Sequence, residues 1–293
     1  MTNETRTELS VIVPVYSRNG YLAEMLERLF LAGIRLNAGK KVELVIIDDA
    51  SPLQAQTAAA ADEAGRWADV VYHRNSSNLG YLRSANKGLT LASGKRLLLC
   101  NSDTRLVPGA LARMEAAMDS DPGIGMVGPV SNGAFGSVMQ CAAAFPSELL
   151  SFGTEELARF DNFGLELSGR ALPPVPASWL MGFCTLLRRE VLENTGLLDE
   201  GFGFGYLEEV DYGIRARRAG WTLAIIPDAF VFHGGLRKGG QVAGRNSGSQ
   251  TGRTFPLRTL VRILKGYYYL KKKYGKQVIG IPQDLPGTEA RGF

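Results

Sequence analysis

The sequence predicts an α/β fold, a Rossmann-like and mostly parallel sheet with helices on both faces, followed by a basic helical extension. Three observations carry this. Short apolar runs alternate with amphipathic stretches of helical period as far as Met118, the pattern of strands covered on both faces. Polar residues gather just beyond those runs, at the strand ends where open α/β sheets bind ligands. Charge is also segregated: between Ala229 and Gln283 there are 11 Lys and Arg and no acid, leaving 22 basic against 29 acidic residues elsewhere.

Leu9–Val15 is an apolar, β-branched run with Pro14 near its end and Tyr16 just past it. Leu22, Met25, Leu26, Leu29, Phe30 and Ile34 follow at three- and four-residue spacing, which predicts a helix. Val42–Ile47 reads as a second strand, ending in Asp48 and Asp49. Ala55–Gly65 predicts a helix, Asp69–His73 a third strand, Leu82–Ala92 a helix, and Arg96–Cys100 a fourth strand ending in Asn101-Ser102-Asp103. Pro108 marks a helix start, where its missing N–H is harmless; Leu111, Met114 and Met118 give that helix its apolar stripe.

Beyond this point the periodicity weakens. Phe135–Pro176 reads as loop-rich with short helices, Ser178–Leu187 as a strand, Glu190–Thr195 as a short helix, Glu208–Ala219 as a helix and Thr222–Ile226 as a strand. His233–Gly252 holds seven glycines among scattered Arg and Lys and reads as a mobile loop. Leu257–Tyr274 is a basic, aromatic helix candidate, and no internal repeat is evident.

Composition removes several classes. The 293 residues, 45% of them hydrophobic, suffice for a full core and exclude a disordered chain. Cys100, Cys141 and Cys184 are odd in number and far apart, which excludes a disulfide scaffold or CxxC motif and points to a reducing compartment. With His73 and His233 as the only histidines, a multi-histidine metal centre is excluded. No apolar run approaches the roughly 18 residues of a spanning helix, and the polar stretch Met1–Glu8 is unlike a signal peptide.

Three groups of acids carry the chemistry. Asp48-Asp49 at a strand end must be hydrogen-bonded or neutralised. Such an acid can accept from ribose hydroxyls or from the N3–H of uracil or thymine, or it can simply open a helix with Ser51 as cap. Asp103 follows a strand, where a hard oxygen ligand suits Mg²⁺ or Mn²⁺ held together with a diphosphate. Neither G-x-G-x-x-G nor G-x-x-x-x-G-K-[ST] occurs, so a metal would have to neutralise the phosphates. Glu208, Glu209 and Asp211 open a helix after the loop Phe202–Tyr206. The helix dipole favours acids there, and Asp211 can pair with Arg215 at i+4. A carboxylate in such a cleft also suits a general base.

Five stretches, taken together and in order, resemble the inverting family-2 glycosyltransferases of the GT-A fold, in particular a bacterial rhamnosyltransferase-like branch. They are LSVIVPVYSRNGYLAEMLERLF, VELVIIDDASP, NSSNLGYLRSANKGL, LLLCNSDT, and the long segment from Trp179 to Trp221, covering about Leu9 to His233. The resemblance implies that Pro14 and Tyr16 border the base, that Asp49 contacts the pyrimidine, and that Asp48 is either a contact or structural. It further implies that Arg83 approaches base or phosphates, and that Asn101, Trp179, Gly182, Glu208 and Asp211 help bind substrate. Asp103 becomes the main metal ligand, with His233 beside it, and Glu209 the catalytic base. Two departures stand out: the metal motif reads Asn-Ser-Asp, and the base position holds Glu rather than Asp.

The implied enzyme uses a UDP- or dTDP-sugar and Mn²⁺ or Mg²⁺, and acts on a glycan or lipid-linked acceptor with a single displacement. Arg237 or Lys238 would help neutralise the leaving diphosphate. Its catalytic unit would be 1–235, divided into a nucleotide-binding half (1–130) and an acceptor half (131–235), with 236–293 a lid loop and basic extension. A cytoplasmic setting and no nucleic-acid partner are expected; the tail is either a helix packed on the acidic body or an interfacial helix on the inner membrane face. A sugar-nucleotide pyrophosphorylase and a non-catalytic transferase relative are the competing readings.

Overall fold

The computed structural model describes residues 7–16, 34, 42–132, 140, 151–153, 157–236, 241–244 and 257–275. The first strand, β1 (Leu9–Val15), is flanked by β2 (Glu43–Asp48) and β4 (Arg96–Cys100), both parallel to it. β3 (Asp69–Arg74) pairs parallel outside β2. These runs are apolar throughout because the sheet is covered on both faces; Val11, Ile12, Val13, Leu44, Val45 and Ile46 are wholly buried.

Helices α1 (Gln54–Ala64) and α2 (Tyr81–Leu91) connect this half. Gly88 lets α2 lie directly on β1, since a Cβ there would stand 2.4 Å from Ile12 Cγ2. β5 (Thr104–Leu106) and α3 (Ala110–Ser120) lead to β6 (Ile124–Val130). The second half adds β7 (Ser151–Gly153), α4 (Leu157–Ser168), β8 (Val175–Ala177), β9 (Cys184–Arg188), α5 (Arg189–Thr195), a 3₁₀ turn at Glu200–Phe202, α6 (Glu208–Arg218), β10 (Thr222–Leu236), β11 (Gln241–Gly244) and α7 (Leu257–Tyr274). The sheet order is β3-β2-β1-β4-β9-β6-β10-β11-β7.

The expected mostly parallel sheet is present, with β9 inserted antiparallel between β4 and β6. Strand and helix positions in the first half agree with the sequence reading to within a residue or two; the stripe from Leu22 lies outside the described residues apart from Ile34, which is buried.

Three expectations in the second half are corrected. Only Cys184–Arg188 of the stretch from Ser178 is strand. Its earlier backbone bonds go elsewhere: Met181 N–H donates to Gln140 Oε1 (2.7 Å), and the Phe183 carbonyl accepts from Asn101 N–H (2.8 Å). Phe135–Pro176 holds helix α4, in keeping with the helices expected there, but its described residues also include strand β7 and the start of β8, which the reading lacked. The last strand does not stop at Ile226. It passes an irregularity around buried Asp228, which accepts from Arg113 Nε and Leu172 N–H, and continues to Leu236. The start of the expected glycine-rich loop is therefore strand, since Gly234–Leu236 pair with β11; residues 237–240 and 245–252 lie outside the described residues.

Candidate active site

The acids predicted at strand ends gather around two structural segments: the turn before α2 and the stretch Leu180–Cys184. Asp49, just past β2, is buried and closed upon that turn. Its Oδ1 accepts from Asn75 Nδ2 and Leu79 N–H, each at 2.8 Å, and its Oδ2 accepts from Gly80 N–H at 2.8 Å. A carboxylate offers about four acceptor positions, of which the described residues fill three on Asp49. Asp48 is different. It is wholly buried and accepts from Ser51 N–H, Tyr72 OH and Arg74, at 2.7, 2.8 and 2.5 Å. Those donors enclose it, which supports the structural of its two readings. The same contact and burial push the Tyr72 hydroxyl up to about 12, burial being the larger cause.

Gly80 and Tyr81 carry the geometry onward. Tyr81 OH donates to the Gly182 carbonyl at 3.2 Å. Burial, then the charges of Glu208 and Glu209, hold that hydroxyl well above its ordinary range, so it remains a donor. Gly182 lies beside Glu209: a Cβ on it would stand 4.0 Å from Glu209 Cβ. Trp179 packs against α6, where a Cβ at Gly213 would come within 3.1 Å of it.

Glu208 and Glu209 occupy the first turn of α6 and line a partly open pocket of about 40 Å³ with Tyr81, Gly182, Thr185 and Tyr212; Glu208 is buried and Glu209 half-buried. One oxygen of each, Oε2, has no hydrogen-bond partner among the described residues. Burial, followed by the adjacent Glu209 charge, raises Glu208 well above the carboxylate range. Burial raises Glu209 too, but first-turn N–H groups and a hydrogen bond with Glu208 oppose it. Both carboxyls are thus pushed above their ordinary range, and the two titrate as a pair.

Phe183 leads to the other acid. It stacks on His233 with ring centroids 5.1 Å apart and 15° between planes. His233 lies in β10 opposite Thr104, not beyond the last strand as expected. Its Nε2 is 3.4 Å from Asp103 Oδ1 and 3.5 Å from Asn101 Nδ2, and its backbone is held at both ends by the Asn132 side chain. Neighbouring ligands of an octahedral ion with bonds near 2.1 Å stand roughly 3 Å apart. Asp103 and His233, one hard oxygen and one imidazole nitrogen, thus fit two positions of a Mg²⁺ or Mn²⁺ shell. Among the described residues no group of three or more His, Cys, Asp or Glu gathers to hold a metal.

The remaining predicted residues divide. Pro14 lies opposite Ile47 near the end of β1, and Tyr16 follows, half-buried. Arg83 is exposed and its Nε is 3.2 Å from Glu200 Oε2, so its guanidinium is engaged by protein. Asp211 is fully buried and pairs with Arg215 at 2.8 Å, as the i+4 spacing predicts, and also with Lys273 and Tyr274, each at 2.6 Å. Both of its carboxylate oxygens are thus engaged within the protein. Sequence reasoning missed Tyr81, Phe183 and Asn132; Tyr81 and Phe183 stand inside the quoted stretches, while nothing local marks Asn132.

Residues 10–196 match the family model described as Glycosyl transferase family 2. The chain is 28% identical over 241 residues to the N-acetylglucosaminyl-diphospho-decaprenol L-rhamnosyltransferase of Mycobacterium tuberculosis, covering 77% of this chain and 75% of that protein. Among solved structures, it resembles the mannosyltransferase PcManGT from Pyrobaculum calidifontis in complex with GDP-Man and Mn²⁺, with TM-score 0.55, 16% identity, and 93% and 77% of the two chains covered. It also resembles GalNAc-T7 with UDP, GalNAc and Mn²⁺, with TM-score 0.58 and 18% identity; the match takes in 79% of this chain but 44% of that one. At such identities the likeness is one of fold.

Proposed function

The chain belongs to glycosyl transferase family 2, and we propose that it moves a sugar from a UDP- or dTDP-linked donor to an acceptor hydroxyl with inversion at the anomeric carbon. The carrying observation is that consecutive residues of one segment join two chemistries: Gly182 lies beside Glu209, and Phe183 stacks on His233 next to Asp103. Membership of a transferase family, and the absence of a glycine-rich phosphate loop, set aside the pyrophosphorylase reading.

In this proposal Asp49 accepts the pyrimidine N3–H, while Pro14 and Tyr16 flank the base. Asp103 and His233 would hold Mn²⁺ or Mg²⁺, which when bound supplies positive charge to the leaving diphosphate. Glu209 takes the acceptor hydroxyl proton while the diphosphate departs from the opposite face of the sugar. Glu208 keeps its proton and donates to Glu209, orienting the base. Arg237 and Lys238 lie outside the described residues, and neutralising the leaving diphosphate remains their part in the proposal, as does the division into 1–235 and 236–293.

A donor-binding measurement tests this reading. UDP or dTDP with Mn²⁺ is expected to raise the melting temperature, and CDP, which lacks the N3–H, to raise it much less. At 100-fold excess over Kd the linkage stabilisation is about 2.7 kcal/mol, readily visible in a melting curve. Equal shifts with CDP would remove Asp49 from base recognition.

The acceptor in this proposal is a lipid-linked glycan, the class named for the mycobacterial relative. No helix among the described residues is long and apolar enough to cross a membrane. α7 instead leaves Leu260, Val261, Leu264 and Tyr268 exposed, with exposed Lys271 and Lys272 beside them. An apolar face flanked by cations suits the interface of an anionic bilayer. Co-sedimentation with anionic vesicles, weakened by Leu260→Ser with Leu264→Ser and by salt, is the expected result; equal binding to neutral vesicles would contradict it.

A further inference from the structure

We propose that the C-terminal helix α7 is a positioning element for the carboxylate pair, clamping the turn from which Glu208 and Glu209 project. This rests on Glu209 being the base. The residues just before the pair, Tyr206 and Leu207, both have left-handed backbones, with φ of 77° and 71°. Side chains with a Cβ hold that conformation only where the surroundings enforce it. No side chain caps α6 at Leu207, so the enforcement comes from elsewhere.

It comes from one face of α7. Arg262, Gly266, Tyr269 and Lys273 recur at four- and three-residue spacing and share that face. Gly266 lies directly on the strained turn: a Cβ there would stand 2.6 Å from the Tyr206 carbonyl oxygen and 3.7 Å from Leu207 Cβ. Contacts on both sides straddle it. Before the turn, the Arg262 guanidinium lies 4.9 Å over the Phe204 ring, and Tyr269 meets Phe202 edge-on at 4.8 Å while its hydroxyl donates to Asp199 (3.2 Å). After the turn, Tyr274 OH donates to Asp211 Oδ1, three residues beyond Glu208, at 2.6 Å. Lys273 Nζ joins the two sides, 2.7 Å from Asp199 Oδ2 and 2.6 Å from Asp211 Oδ1.

This bridge is built to remain charged. Burial works against the Lys273 ammonium, but the two carboxylates outweigh it and raise its pKa. Burial and Asp211 push the Tyr274 hydroxyl up to about 12, so it stays a donor. The face that grips the turn is distinct from the one carrying Leu260, Leu264 and Tyr268, which stays exposed.

The test uses the full chain with Gly266→Ala, whose added methyl displaces α7 from the turn, and with Lys273→Met, which cuts the bridge. Two quantities are read: kcat and KM for the donor, and amide hydrogen exchange at residues 206–211 against strand β1. The expected result is faster exchange at 206–211 with β1 unchanged, and a fall in kcat on the order of 10- to 10²-fold, the scale of a misplaced catalytic group. Donor KM should hold, and Lys273→Arg should restore both readouts. Should Gly266→Ala fail to fold, the Lys273 pair decides alone. Wild-type exchange at 206–211 in Lys273→Met overturns the clamp, and so does faster exchange with wild-type kcat. Glu209→Gln run alongside separates the two ideas: if it keeps full turnover, the base assignment fails whatever the exchange data show. If it is inactive while the α7 variants turn over normally, only the clamp fails.

Discussion

Glu209→Gln is expected to lower kcat by at least about 10²-fold, the usual scale for loss of a general base, with donor binding unchanged. The amide is isosteric but cannot accept the acceptor's proton. Glu208→Gln should retain far more activity, because the amide can still donate to Glu209 as the protonated acid does. A pH profile sharpens the comparison. Glu209 is raised by burial, and the base must be ionised, so activity falls as pH drops through that raised value, above the ordinary carboxylate range. Glu208 enters through stability. Its folded pKa is raised, so its contribution is fully present below the unfolded value of about 4.3 and is lost as pH rises through the folded value. Glu208→Gln should therefore gain melting temperature over the parent as pH increases. If Glu208→Gln were the less active variant, the base would belong one residue earlier.

Asp103→Ala should abolish the metal-dependent part of transfer and weaken Mn²⁺-assisted UDP binding, while UDP binding without metal changes little. The chain offers no glycine-rich loop to cradle phosphates, and Asp103 is the carboxylate placed against His233. The fold should survive, since Asp103 lies in the turn past β4, whose core is Leu97–Leu99. Calorimetric titration with UDP, with and without Mn²⁺, reads this directly; a variant keeping the full metal increment would return Asp103 to an ordinary strand-end role.

The first half was legible because its strands are buried on both faces. Continuous apolar runs such as Leu97–Leu99 have no other stable use, and the acids just past β2 and β4 mark the ligand end of the sheet. Residue roles were less legible, because a carboxylate's partners come from remote chain. Asp48 and Asp49 are adjacent and identical in type, yet Tyr72 and Arg74 enclose one while Asn75, Leu79 and Gly80 hold the other against the turn before α2. Asp211 was read correctly for its i+4 partner, but Lys273 and Tyr274 reach it from about 60 residues away, beyond any local pattern. The Ser178–Leu187 stretch failed for a related reason. Its apolar side chains suit a strand, but its first residues bond to Gln140 and Tyr81 and so form the segment that unites the site.

The proposed reaction is a single displacement driven by Glu209. The most direct measurement is the anomeric configuration of the glycoside formed from a UDP- or dTDP-sugar, read from the proton coupling constant at the new linkage. Inversion relative to the donor, with product formation falling at least about 10²-fold in Glu209→Gln, is the predicted result. A product that retains the donor's configuration would contradict it, since retention requires a second displacement or a front-face path in which Glu209 is not the base assigned here.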